Sequence, residues 1–481
     1  MNSTIPNPAA PERFRPSDAW FADRKVTVMG LGRFGGGLGV TRFLAQRGAA
    51  VLLTDTAGED TLRAPLADLR DLVGSGAVEL RLGEHNASDF TTADAVVVNP
   101  AVATPWNNRF VRAALAAGVP LLTEIGLLCD RIEPDRVIAV TGTAGKSTTA
   151  AMIHHALTAC RMPAVLGGNL GGSLLATLNE LTPDTTIVLE LSSAMLWWLG
   201  GPDGAGFACK TAALTNVLDN HLDWHGDAAH YAACKRTLLR APRGPGAAAI
   251  LAFRESDWDL PPRVLRCFAL QTTEVPALAI PGWHNRLNAA MASVAAAVHV
   301  PSLDVRDTVK SIQTFRGLPH RLQPAGRRSG VTFFNDSKCT TPQATRGAIE
   351  ALAETGARRI HLIAGGYDKG IDLSPMLAER SLLASVSAIG ATAGAIAELA
   401  DSLPDDARGT GDAAEQPKAM RVAITNTLEQ AMLAIHAEAE PGDTVLLSPG
   451  CASWDQFENF EQRGHRFVEL AAELFGPEDP A

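Results

Sequence analysis

Residues Val140–Ala150, "VTGTAGKSTTA", decide how this chain of 481 residues is read. The run "VIAVTG" before Lys146 is apolar, and "KSTTAAMIHHAL" after Gly145 has the composition of a helix. A strand, a glycine turn and a helix in that order bring backbone N–H groups and a helix N-terminus to one point, which suits phosphate. The common phosphate loop has glycine six residues before its lysine. Here Val140 holds that position and Gly142 stands four before Lys146. The loop is therefore a shortened phosphate turn, with Gly142, Thr143, Gly145, Lys146, Ser147 and Thr148 as its candidate phosphate contacts.

Similar units lie on either side. Upstream, "KVTVMGLG" reads as a strand entering a glycine turn, followed by the helix "GVTRFLAQRGA" and the strand "AVLLTD" ending at Asp55. Gly30, Gly32 and Gly35 fit G-x-G-x-x-G, the turn of a dinucleotide site. No later motif offers hydride chemistry, so a phosphate ligand other than NAD is expected. Downstream, "VTFFNDS", "RIHLIAGG" and "DTVLLSPG" each end in a polar loop. Strands alternating with helices predict parallel sheets. The fold class expected is α/β in three consecutive domains, Rossmann-like, P-loop ATPase-like and Rossmann-like. Their expected bounds are a flexible N-terminal tail at 1–22, then 23–133, 134–316 and 317–481. "EPDR" at Glu133–Arg136 reads as a linker, Pro242–Pro281 resists assignment, and 405–416 reads as a surface loop.

Composition narrows the function. A net charge of −10 opposes nonspecific binding to nucleic acid or an anionic membrane. The seven cysteines are scattered without a C-x-x-C pair, which argues against a disulfide framework or a structural zinc site. No long apolar run suggests a membrane span. A cytoplasmic monomer is expected.

The middle unit adds chemistry. Glu190 ends the strand in "TIVLELSS", His221 follows another in "TNVLDNHLDWHG", and Lys235 lies fourteen residues on in "YAACK". Taken singly, each fits a structural role: a satisfied histidine, an exposed helix lysine. Together at strand ends, an acid, a histidine and Ser147 suit Mg²⁺ bound to ATP phosphates.

At this point the chain resembles the Mur ligases, and among them the glutamate-adding members. The resemblance rests on "GTAGKSTT", "GGNLGGSLL", "ELSSAML", "TNVLDNHLDWHG", "YAACK", "GWHNRLNAAMA", "GLPHRLQ", "FFNDSKCTTPQAT", "AGGYDKG" and "LLSPGCASWDQFENFEQRG". It implies ATP-dependent amide ligation of glutamate to UDP-N-acetylmuramoyl-L-alanine through an acyl phosphate. It implies catalytic Lys146, His221 and Lys235, the last carbamylated by CO₂, and about two Mg²⁺ held by Ser147, Glu190, His221 and Lys235. Asn285, Arg321 and Asp336 would join the ATP contacts. Gly32, Arg33, Phe34, Asp55, Asn169 and Ser192 would bind the UDP substrate, and Thr340, Lys369, Ser453 and Phe460 the glutamate. Three departures stand out. Ala144 replaces the Asn usual in the ATP loop, Trp454 replaces a common Leu, and "AMLWWL" follows Ser193. They leave two alternatives open: a ligase specific for L-glutamate, and a non-enzymatic nucleotide-binding regulator.

Overall fold

The computed structural model describes residues 10–32, 35–200, 206–218, 221–252, 264–266, 278–403 and 420–480. Its strands form three sheets. The first contains β1 (Lys25–Met29), β2 (Ala50–Asp55), β3 (Val78–Leu82), β4 (Ala95–Val98) and β5 (Leu121–Leu122), ordered β3-β2-β1-β4-β5 and parallel throughout. The second contains β6 (Val137–Thr141), β7 (Ala164–Gly168), β8 (Thr186–Glu190), β9 (Thr211–Leu214), β10 (Ala248–Leu251) and β11 (Val264–Arg266). Its order is β11-β10-β9-β6-β8-β7, again parallel. Every residue of β6, β8 and β9 is buried, as apolar runs covered on both faces should be.

The third sheet contains β12 (Gln323–Arg328), β13 (Val331–Asn335), β14 (Ile360–Gly365), β15 (Leu383–Ile389), β16 (Arg421–Asn426) and β17 (Thr444–Leu447). Its order is β12-β13-β17-β14-β15-β16. This sheet is parallel except at its edge, where β12 runs antiparallel to β13 with a register break between Pro324 and Arg327. Pro324 has no N–H for a ladder on both sides, which confines this strand to an edge.

The chain packs as two compact units, 1–276 with 287–312, and 277–286 with 313–481. The first unit holds two sheets because one core serves both. Val26 and Val28 of β1, Leu127 and Leu128 of the Glu124–Cys129 helix, and Ile187 and Leu189 of β8 belong to one buried cluster. The sequence "EPDR" is a 3₁₀ turn, Pro134–Arg136, running straight into β6.

The expected flexible tail at 1–22 needs correction from residue 10 onward; 1–9 lie outside the described residues. Phe21 is fully buried and edge-on to Phe43. Arg13 pairs with Asp130 at 2.7 Å, and Asp18 accepts from Arg131 at 2.7 Å. Aromatic anchors and arginine pairs fix a segment that looks polar and proline-rich. Of Pro242–Pro281, β10 and β11 are defined and much of the rest lies outside the described residues, as does 405–416. No described helix is long and apolar enough to cross a membrane.

Candidate functional site

In the second sheet β6 lies between β8 and β9, while the chain leaves β6 for β7 beyond β8. That reversal opens a crevice at the C-terminal strand ends, where open α/β sheets bind ligands. Gly142–Gly145 follow β6, Glu190 ends β8, and Thr215–Leu218 follow β9.

Two positions in the β6 loop require glycine. Gly142 has φ +149°, and a Cβ there would fall 1.9 Å from Thr215 Oγ1. Gly145 has φ +80° and precedes the Lys146–Ala159 helix, whose N-terminus receives no side-chain cap. The first turn's N–H groups and helix dipole thus face an anion site. Asn216 braces the loop. Its Oδ1 accepts from Ala144 N at 2.8 Å and Thr143 N at 3.2 Å, and its Nδ2 donates to Ala144 O at 3.1 Å. Thr143 Oγ1 lies 3.0 Å from the Tyr231 hydroxyl, and Lys146 Nζ donates to Thr143 O at 3.0 Å. Ser147 is buried in the first helical turn, and Thr148 is half-buried beside it.

Lys235 is not the exposed helix lysine it resembles. It is 1% exposed, its Nζ donates to Gly142 O at 2.7 Å, and it sits 4.7 Å from the centre of the Tyr231 ring. Burial pushes its pKa well below the usual lysine value, and the charge of Lys146 pushes the same way; Glu190 opposes them. A buried amine tends to the neutral form, which is nucleophilic.

Glu190 is also 1% exposed. Its Oε1 accepts from Asn169 Nδ2 at 2.9 Å, while Oε2 is buried with no hydrogen-bond partner among the described residues. A buried carboxylate oxygen without a hydrogen-bond partner fits a cation, and oxygen is the donor Mg²⁺ prefers. His221 follows β9 in a left-handed conformation, φ +52°, exposed, its ring 6.1 Å from that of Tyr231.

Other expected contacts are engaged within the chain. Asn169 orients Glu190. Ser192 Oγ caps the Ser193–Trp198 helix by accepting from Met195 N at 3.1 Å. In the first sheet, Asp55 Oδ2 accepts from Leu31 N at 2.9 Å and lies 3.4 Å from Gly32 N, so this carboxylate braces the glycine turn. Arg33 and Phe34 lie outside the described residues.

The second unit repeats the logic. β13, β17 and β14 are neighbours, so the loops after them share one sheet edge. Asp336 accepts from Leu322 N at 2.9 Å and Ser448 Oγ at 2.8 Å, and burial raises its pKa to about 6. Arg321 sits in the preceding turn and contributes a charge to Asp336. Thr340 is half-buried, and Ser453 is buried. Phe460 opens the Phe460–Phe475 helix with Lys338 Nζ 4.7 Å from its ring centre. Lys369 is exposed, with Nζ 5.4 Å from the centre of the Trp454 ring. Asn285 is buried and donates to Pro281 O at 2.6 Å.

Sequence reasoning passed over Asn216 and Arg463. Asn216 is the second residue after β9, at the same C-terminal sheet edge that flagged Glu190 at the end of β8. Arg463 lies inside the quoted motif "FEQRG". It is 1% exposed, donating to Ser337 Oγ at 3.0 Å, Ser337 O at 2.8 Å and Cys451 O at 3.2 Å. A Cβ on Gly366 would stand 3.3 Å from Arg463 Nη1. One guanidinium therefore ties the loops after β13 and β17 together and lies beside the loop after β14.

Comparison with known proteins agrees along the chain. A model of the MurD-like N-terminal domain of Mur ligases matches residues 24–123, the Mur ligase middle domain matches 140–258, and the Mur ligase glutamate ligase domain matches 320–451. The UDP-N-acetylmuramoylalanine–D-glutamate ligase of Pelotomaculum thermopropionicum is 34% identical over 94% of this chain and 98% of its own. The protein of the same name from a Roseiflexus species is 34% identical over 93% and 98%. Among solved structures, the UDP-N-acetylmuramate-alanine ligase MurC of Thermotoga maritima superposes with a TM-score of 0.59 at 18% identity, covering 94% of this chain and 99% of its own. That structural likeness speaks for the fold, and the sequence matches speak for the family: the chain belongs to the Mur ligases.

Proposed function

We propose that the protein is a cytoplasmic ATP-dependent ligase that adds D-glutamate to UDP-N-acetylmuramoyl-L-alanine during peptidoglycan precursor synthesis. The substrates follow the names of its full-length relatives. The observation that carries the reading is buried Lys235 on the Gly142 carbonyl, within electrostatic reach of Lys146 and Glu190.

The substrate carboxylate attacks the γ-phosphorus of ATP, and ADP leaves. The resulting acyl phosphate has a good leaving group where a carboxylate had none. The glutamate amine attacks its carbonyl carbon, the tetrahedral intermediate collapses, and phosphate departs with one former carboxylate oxygen as the amine sheds a proton. Lys146 and the helix N-terminus behind it offset charge on the transferring phosphoryl group. Ser147, Glu190, His221 and Lys235 would hold Mg²⁺, two ions in all, which when bound would neutralise phosphate charge. For Lys235 to take part, its neutral amine bonds to CO₂ and loses a proton, becoming a carbamate. Gly142, Thr143, Gly145, Thr148, Asn285, Arg321 and Asp336 would complete the ATP contacts. Gly32, Arg33, Phe34, Asp55, Asn169 and Ser192 would bind the UDP substrate. Thr340, Lys369, Ser453 and Phe460 would bind glutamate, with Lys369 facing a carboxylate.

A second reading, use of L-glutamate, is favoured by Trp454, whose ring stands beside Lys369. Phosphate release from ATP and UDP-N-acetylmuramoyl-L-alanine, measured with each enantiomer separately, decides. Release with D-glutamate supports the proposal, and release with L-glutamate alone supports the second reading. Release with neither overturns both.

A further inference from the structure

Behind Lys235 lies a group of side chains that the ligase chemistry does not use. His225 ends the Leu222–His225 helix, and His230 and Cys234 stand four residues apart on the Ala228–Arg236 helix, so they share one face. Their exposures are 3%, 0% and 0%. Taking one ligand atom from each, these atoms lie within 4.8 Å of one another.

The hydrogen bonds orient the ring nitrogens. His230 Nδ1 lies 3.2 Å from His225 O. A carbonyl can only accept, so Nδ1 carries the hydrogen, and the Nε2 lone pair is directed toward Cys234 Sγ at 3.7 Å. His225 Nε2 lies 2.9 Å from Ser193 Oγ, which can accept its hydrogen; His225 Nδ1, 3.1 Å from His230 Nδ1, then accepts that ring's N–H, a bond that a turn of the His225 ring would exchange for a metal. Metal-binding histidines are held in this way, with the second nitrogen bonded to an oxygen outside the site. A tetrahedral zinc with bonds of about 2.0 Å to N and 2.3 Å to S spaces those atoms about 3.5 Å apart. The His230–Cys234 spacing is close to that. Trp106 and Trp224 wall the group at ring distances of 5.4 Å from His230 and 4.4 Å from His225.

We propose that His225, His230 and Cys234 form a binding site for a thiophilic divalent metal of the Zn²⁺ kind, completed by one ligand from solution. Its nitrogen and sulfur donors separate it from the oxygen-rich set suited to Mg²⁺. Because Cys234 precedes Lys235, a metal here fixes the helix that places Lys235 on the phosphate loop.

The test is a Co²⁺ titration of the full-length, chelator-treated and reduced protein. One equivalent should produce a thiolate-to-cobalt charge-transfer band that Zn²⁺ displaces and that Cys234→Ser and His230→Gln abolish, with thermal melts confirming that both variants fold. No band in the wild type, or a band that persists in folded Cys234→Ser, overturns the proposal. If the variants do not fold, the wild type still decides. Zn²⁺ should slow alkylation of Cys234 by iodoacetamide in mild denaturant at least tenfold, read by peptide mass spectrometry. Equal rates with and without Zn²⁺ overturn the proposal. Neither readout depends on ligase turnover, so it can fail while the proposed function stands.

Discussion

Replacing Arg463 with methionine separates positioning of the loops proposed to bind glutamate from bulk stability. The Arg463 side chain is buried, and among the described residues its hydrogen bonds go to no carboxylate. Its partners are one hydroxyl and two carbonyls. Leaving those two carbonyls unsatisfied costs about 1–3 kcal/mol each, or about 2–6 kcal/mol together. The opposing effect is desolvation. Burial lowers the arginine's pKa from 12.5 to about 10, equivalent to roughly 3 kcal/mol against the charged form. Methionine removes that penalty while filling much of the space. The two effects largely cancel, and the expected change in unfolding free energy lies between a gain of about 1 kcal/mol and a loss of about 3 kcal/mol. Geometry is not compensated, because methionine cannot donate the hydrogen bonds that tie Ser337 to Cys451. KM for glutamate should rise about ten- to hundredfold, equivalent to about 1.4–2.8 kcal/mol, with KM for ATP changing less than about threefold. Urea unfolding and steady-state kinetics on the same preparation give both numbers. A folded variant with unchanged KM for glutamate would refute the reasoning.

Three further changes probe other parts of the account. Gly142→Ala places a methyl group 1.9 Å from Thr215 Oγ1 in a left-handed backbone, so ATP binding measured by calorimetry should be lost and the melting temperature should fall. Ala144→Asn is made at an exposed position whose N–H is already held by Asn216; stability should change by less than about 0.5 kcal/mol and KM for ATP should change only a few-fold. Glu124, bonded to Ser173 Oγ at 2.6 Å, has its pKa raised by burial from 4.5 to about 7. The folded state therefore holds a proton that the unfolded state loses first, so this residue's contribution weakens as pH rises from about 4.5 to about 7. Glu124→Gln should gain about 1–3 kcal/mol on the wild type between pH 5 and pH 8 in urea titrations, and a gap independent of pH would contradict the assignment.

Much of the fold was legible because buried parallel strands are continuous apolar runs that stop at glycines and polar residues. "VIAVTG", "TIVLELSS" and "VTFFNDS" give strand ends directly, and ligands of α/β sheets gather there. The burial of Lys235 was not legible. A lysine on a nine-residue helix reads as solvated until the fold closes it over Gly142 and Tyr231. The role of Arg463 depends on three loops from distant stretches of sequence meeting at one sheet edge. β12 escaped because "QPAGRR" carries Pro and Gly and lies at an edge, where neither apolar runs nor strict alternation is needed. The packing of residues 10–22 was hidden for the opposite reason, since a few aromatic and arginine anchors outweigh a polar composition.

The central claim is that this chain activates a carboxylate by phosphorylating it. UDP-N-acetylmuramoyl-L-alanine labelled with heavy oxygen in its carboxylate, incubated with Mg-ATP and D-glutamate, tests this directly. The account predicts one label oxygen in each released phosphate and one retained in the new amide. Unlabelled phosphate accompanying amide formation would contradict it.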